Sequence, residues 1–269
     1  MNLKEMFICG KTRDQSACED GLVMTEELIA VIDGVTAKTD AEWDGRKPGC
    51  YAKELLEEQI YCSTVRGKDA EKYLSELDRA ISRAVDRKDP GTPDNDRPKA
   101  CIIIYNDIKK EIWIYGDSQY SLNGVVHAPE KRVDRLTSAL RAFVIEEALQ
   151  RGAEEEEIKK DDIGRRAILP FLRMQSTFEN TDGPWGYPVL NGKGVNPSLI
   201  TKVSVKEGDT VILASDGYPD LRPTLEESEK RLQEMLESDP LAIHGMMGTK
   251  CINEDMLSFD DRTYVRFTV

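Results

Sequence analysis

Apolar residues recur along this chain with two periods. The short runs "GLVMT" and "LIAVID" flank Glu26 and Glu27 and predict two strands of a hairpin. Ala52, Leu55, Leu56 and Ile60 share one face of a helix over residues 51–62, and Tyr73, Leu77, Ile81, Ala84 and Val85 mark a second helix starting near Asp69. The polar stretch "DRKDPGTPDNDRPK" reads as a surface loop. Beyond it, "ACIIIYND" and "EIWIYGDSQYSLNG", joined by "IKK", predict a second hairpin.

Val133, Leu136, Leu140, Phe143, Val144 and Ala148 give a helical stripe over residues 131–150, which Gly152 suits to end. The "EEEE" run at 154–157 is a solvated helix face, and a further helix covers 161–174. The turn-rich, aromatic stretch "QSTFENTDGPWGYPVLNGKG" follows, then strands near "LITKVSV" and "TVILASDG", a helix over 224–237 and a final strand "RTYVRFTV". No repeat or sharp change of composition divides residues 1–269, so one domain is expected. Strands that arrive in hairpins and helices that arrive in pairs predict an antiparallel α+β architecture, with two sheets or one large sheet covered by helices.

Composition narrows the chemistry. Of 269 residues, 39% are hydrophobic and 32% charged, which suits a globular protein with a sizeable core. The six cysteines, at 9, 18, 50, 62, 101 and 251, include no Cys-x-x-Cys pair and point to reduced thiols; with His127 and His244 as the only histidines, a zinc site has few ligands to draw on. A net charge of −13 argues against general nucleic-acid binding. No apolar run approaches the roughly 18 residues that span a membrane. The opening "MNLKEMFICGKTRDQ" also lacks a secretory stretch, so a cytoplasmic location without membrane attachment is expected.

The acidic excess acquires meaning where carboxylates share a local grammar. Asp20 in "CEDG", Asp33 in "AVIDG", Asp117 in "IYGDS" and Asp216 in "LASDG" stand beside Gly or Ser at turns, three of them ending strongly apolar strands, while Asp260 in "SFDDRTYVRF" precedes one. Any one alone reads as a turn or cap. Together they have a cost: two carboxylates about 5 Å apart repel by about 3 kcal/mol at an effective dielectric near 20. No Lys or Arg stands beside Asp33 or Asp216 in sequence, which points to a hard divalent cation with oxygen ligands.

"EDG", "AVIDG", "GDS", "LASDG" and "DDRT", in that order over nearly the full chain, resemble the metal-dependent protein phosphatases, the type 2C serine/threonine phosphatases, in their bacterial form. The resemblance implies a four-layer α-β-β-α sandwich: two mainly antiparallel sheets flanked by helix pairs, with a binuclear manganese or magnesium centre at one end. It implies that Asp33 bridges both ions, that the Gly34 carbonyl is a ligand of the second, and that Asp216 and Asp260 hold the first. Glu19 and Asp20 would act through metal-bound waters, Asp117 would help hold a weaker third ion, and Asp261 would not ligate. The implied reaction is hydrolysis of phosphoserine or phosphothreonine in proteins by a water activated between the two cations. The competing readings are a metal-dependent hydrolase of small phosphate compounds and a binding or regulatory module of the same fold.

The chain departs from that pattern at three places. The family's substrate-binding Arg lies a few residues before the acidic pair, whereas Arg13 stands six before Glu19 and reads equally as a surface residue. The histidine that follows Asp-Gly in eukaryotic members has no counterpart in "DGVTAKT". A variable flap-like segment is expected around 152–197, where Trp185 and Tyr187 either anchor an ordered loop or touch substrate. Manganese versus magnesium, the protein substrate and the oligomeric state stay open.

Overall fold

A computed structural model describes the chain from Met1 to Val269. In chain order the elements are β1 (Asn2–Cys9), β2 (Asp20–Met24), β3 (Leu28–Gly34), α1 (Pro48–Tyr61), α2 (Ala70–Lys88), β4 (Ala100–Asn106), β5 (Glu111–Tyr115), β6 (Gln119–Leu122), β7 (Val125–His127), α3 (Arg132–Gln150), α4 (Glu155–Lys160), α5 (Ile163–Met174), β8 (Thr201–Ser204), β9 (Thr210–Ala214), α6 (Leu225–Ser238) and β10 (Arg262–Thr268). The strands form two five-stranded sheets, ordered β1-β10-β9-β6-β7 and β2-β3-β4-β5-β8. Every neighbouring pair is antiparallel. This is the α+β sandwich anticipated from the hairpins and helices.

The apolar runs of β3 and β4 follow from burial on both faces. Ile29, Val31, Ile103 and Tyr105 point between the sheets and meet Val211, Leu213, Val265 and Phe267. Their neighbours Ala30, Ile32, Ile102 and Ile104 point the other way, onto Leu56 and Ile60 of α1 and Leu74, Leu77 and Ile81 of α2. Side chains alternate along a strand, so a strand with two covered faces is apolar throughout. On the opposite side, Ile212, Ala214 and Tyr264 are covered by Tyr218 and Leu221 with Leu225 of α6. Helices α3 and α5 pack on each other. Ala142 and Ile145 of α3 join Ile158 of α4 against Leu241, Ile243 and Cys251.

Two strand expectations change. "EIWIYGDSQYSLNG" is not one strand: β5 ends at Tyr115, and β6 pairs with β9 in the other sheet. The crossing turns at Gly116, where φ is 140° and a Cβ would sit 2.2 Å from that of Cys101. Strand β1, absent from the sequence reading, is a sheet edge with mostly exposed or half-buried positions, so its alternation is weak.

Candidate metal centre

The acidic motifs converge because their strands end together. Asp20 faces Asp33 across β2 and β3, and Asp33 faces Cys101 of β4. Asp117 follows the end of β5, Asp216 follows β9, and Asp260 and Asp261 lead into β10. Ligand oxygens of Asp33, Asp117 and Asp216 all lie within 4.8 Å of one another. These three line an open cavity of about 350 Å³ together with Gly34 and Asp260. Gly217 permits the approach of the last two segments, since a Cβ there would stand 2.0 Å from the Asp261 carbonyl oxygen.

The electrostatics separate these carboxylates. Burial, then Asp216, Asp20 and Asp117, push the Asp33 carboxyl well above the usual range. Asp216 is open to the cavity solvent, yet desolvation by the protein packed around it, then Asp117 and Asp260, push it up to about 7 against a weaker opposing pull from Lys131 and Lys250. Neither Asp33 nor Asp216 forms an ion pair. For Asp117 burial also favours the neutral form, but Lys131, whose Nζ lies 2.6 Å away, outweighs it and holds the carboxyl below its usual range. An all-oxygen set this close, two of its members in no ion pair, fits a hard divalent cation.

The remaining acidic positions are engaged by protein groups. Asp260 faces an ammonium on each oxygen, Lys11 Nζ at 3.0 Å and Lys250 Nζ at 2.8 Å, and these overcome burial to lower its pKa. Lys11 Nζ also reaches Glu19 and Asp261, each at 2.8 Å, and Thr36 Oγ1 at 2.9 Å. Both oxygens of Asp261 are used, because Oδ1 accepts the Lys11 backbone N–H at 2.7 Å. Asp20 Oδ2 accepts hydrogen bonds from Ser215 Oγ at 2.6 Å and Thr263 Oγ1 at 2.8 Å, tying β2 to the opposite sheet. Glu19 and Asp20 are buried behind the cavity wall and do not line it, and Glu19 Oε1 has no hydrogen-bond partner.

Arg13 does not reach this site. It is exposed and lines no part of the cavity; its backbone N–H donates to the Asp255 carbonyl at 3.4 Å, and a short 3-10 turn, Gln15–Ala17, capped by Asp14, follows it. The cations that line the cavity are Lys38, Lys131, Arg135, Arg165 and Lys250. The absence of basic neighbours in sequence was therefore a partial guide: Asp117 pairs with Lys131 and Asp260 with Lys250 and the distant Lys11, none of them adjacent in sequence, while Asp33 and Asp216 form no ion pair. These five cations lie in loops and helix starts with no motif to mark them.

Trp185 and Tyr187 also stand outside the cavity. Tyr187 is buried and donates its hydroxyl to the Gln175 carbonyl at 3.2 Å, and Trp185 carries the Arg132 guanidinium 5.3 Å above its ring. They serve as loop anchors. His127 stacks on Tyr120 with ring centroids 4.6 Å apart, and His244 lies on the surface beside Glu146, so neither histidine enters the site.

Comparison with solved structures gives whole-chain similarities. One is to the catalytic domain of the serine threonine protein phosphatase PstP in complex with two manganese ions, at 19% identity, covering 100% of this chain and 99% of that one with a TM-score of 0.50. Another is to the serine/threonine phosphatase PstP/Ppp of Mycobacterium tuberculosis, at 18% identity, 99% and 98% coverage and a TM-score of 0.50. A third is to the serine/threonine phosphatase Stp1 from Staphylococcus aureus, at 14% identity, 100% and 96% coverage and a TM-score of 0.52. No protein-family model and no curated protein sequence matches the chain. At these identities the likeness shows a shared fold.

Proposed function

We propose that this chain, which shares its two-sheet fold with serine/threonine phosphatases, is itself a metal-dependent phosphatase acting on phosphoserine and phosphothreonine in proteins. The observation that carries the reading is the convergence of Asp33, Asp117 and Asp216 on one open cavity, with neither Asp33 nor Asp216 in an ion pair. Manganese or magnesium, when bound, supplies the activation of a water molecule and the screening of phosphoryl oxygens. Asp33, Asp117 and Asp216 would hold it, with the Gly34 carbonyl as a further oxygen donor and Asp260 at the cavity edge.

The chain's other residues orient these groups. Lys131 fixes one oxygen of Asp117. Ser215 and Thr263 hold Asp20 behind Asp33, and Lys11 ties Asp260 of the cavity wall to the buried Glu19 and Asp261. We read residues 152–197 as a flap beside the site within a single catalytic domain, supported by Arg165, Leu172 and Gln175 in the cavity wall. All six cysteines are free, which suits a reducing compartment such as the cytoplasm. No helix is long and apolar enough to cross a membrane.

The test is turnover of a phosphoserine peptide with manganese, measured beside small phosphate esters. Asp33→Asn and Asp216→Asn are each expected to lower kcat by at least about a hundredfold, the scale of losing a principal charge-stabilising group. Turnover that survives both substitutions contradicts the assignment, and faster turnover of small metabolite esters than of phosphopeptides would move the substrate class.

A further inference from the structure

Five cationic side chains line the cavity, and three have acidic partners. Lys131 pairs with Asp117 at 2.6 Å, Lys250 with Asp260 at 2.8 Å and Arg135 with Glu130 at 3.8 Å. Lys38 and Arg165 form no ion pair: the acidic groups that act on them, Asp260 and Glu19 for Lys38 and Asp162, Asp260 and Asp134 for Arg165, do so from beyond ion-pair distance. The Lys38 ammonium donates to the Thr36 carbonyl alone, and Arg165 Nη1 donates to the Thr249 carbonyl at 3.1 Å, leaving further N–H groups of both side chains without protein acceptors. In a chain with 50 acidic residues against 37 basic ones, two neighbouring unpaired cations in one recess stand out.

We propose that Lys38 and Arg165 form the oxyanion-binding wall of this cavity and grip the phosphoryl group of the substrate, the task that Arg13 is too far out to perform. The proposal rests on the phosphatase reading for the identity of the anion. Its geometric basis is that both side chains are half-buried and line the cavity that Asp33, Asp117 and Asp216 line. A guanidinium offers a planar fork to two oxygens of a tetrahedral anion, and an ammonium adds a compact charge beside it. Held together without an anion, the two disfavour each other: burial, then Arg165 and Lys250, push the Lys38 ammonium down to about 7. A phosphate dianion between them would remove that penalty.

Both groups are also held in place by the backbone. Asp162 caps α5 by accepting the Arg165 backbone N–H at 2.7 Å, and its carboxylate is itself fixed by the buried Arg141 at 2.9 Å. From the other end of α5, Arg173 Nε donates to the Lys38 carbonyl at 3.1 Å, joining the loop after Gly34 to the helix that carries Arg165. The wall is therefore set by one helix.

The test is calorimetric titration of inorganic phosphate into the manganese-loaded full chain, which reads binding without requiring turnover. Lys38→Met and Arg165→Met are each expected to weaken phosphate about tenfold or more, the scale of one charge-assisted hydrogen bond. Lys38→Arg should retain affinity within a few-fold, and Lys160→Met, which removes an exposed cation from α4, should leave it unchanged. Manganese uptake measured in the same samples shows that each variant keeps its fold and its carboxylate site. Phosphate affinity unchanged in both Met variants, or lowered equally by Lys160→Met, overturns the proposal. Weakened phosphate binding in a protein that hydrolyses no phosphoester would uphold the wall and refute the phosphatase reading separately.

Discussion

Asp33 and Asp216 differ from the acidic residues around them in what faces them. Asp20 has two hydroxyl donors, Asp117 and Asp260 have ammonium groups, and Asp261 has a backbone N–H and an ammonium. Burial and then neighbouring carboxylates raise both Asp33 and Asp216, Asp216 to about 7, and burial raises Asp20 as well in spite of its two hydroxyl donors. A carboxyl whose folded pKa exceeds its unfolded value of roughly 4 binds more protons folded than unfolded as pH rises between the two, so stability falls over that interval. The metal-free protein should therefore lose stability from about pH 4 to about pH 7, and Asp216→Asn should blunt the loss. Differential scanning calorimetry against pH checks this, with a larger manganese-induced rise in Tm expected above about pH 7 than below about pH 5. A Tm increment independent of pH would contradict the charge assignment.

Among the elements, α5 and the segment after α6 depend on one buried side chain. Arg141 on α3 is fully buried and donates to Asp162, to the Leu241 carbonyl at 2.9 Å, to the Ala242 carbonyl at 3.2 Å and to the Gly248 carbonyl at 3.1 Å. Arg141→Met should cost about 3 kcal/mol, because it takes the counter-charge from the half-buried Asp162 carboxylate and removes a buried donor from three carbonyls. Denaturant unfolding measures the loss, and amide exchange should rise first in residues 241–251 and at the start of α5. Much at this scale was legible in sequence: "LIAVI" and "CIIIY" announce strands covered on two faces, and Asp69 marks the start of α2 by capping it. The "GDS" turn is visible in the sequence but the change of sheet across it is not, because an apolar run does not reveal which sheet it joins; the crowding at Gly116 marks the crossing. Lys11, Lys38, Lys131, Arg165 and Lys250 escaped notice because their role comes from tertiary convergence, and a lysine in a loop has no local pattern.

For the molecule as a whole, the sandwich acts as a device for bringing chain ends of strands together. Asp33, Asp117 and Asp216 are separated by 84 and 99 residues in sequence, yet the antiparallel order of both sheets returns β3, β5 and β9 to the same end. The cost of that convergence is borne by a core of buried strands and by α1 and α2, and it leaves a carboxylate cluster that a divalent cation would relieve. The central claim is that this cluster binds such a cation. Calorimetric titration of manganese into the wild-type chain and into Asp33→Asn and Asp216→Asn tests it directly. The account predicts saturable uptake by the wild type that either substitution abolishes or weakens at least about a hundredfold, as expected when a charged ligand of a hard cation is removed. Uptake by both variants equal to that of the wild type, or none by the wild type, would contradict it.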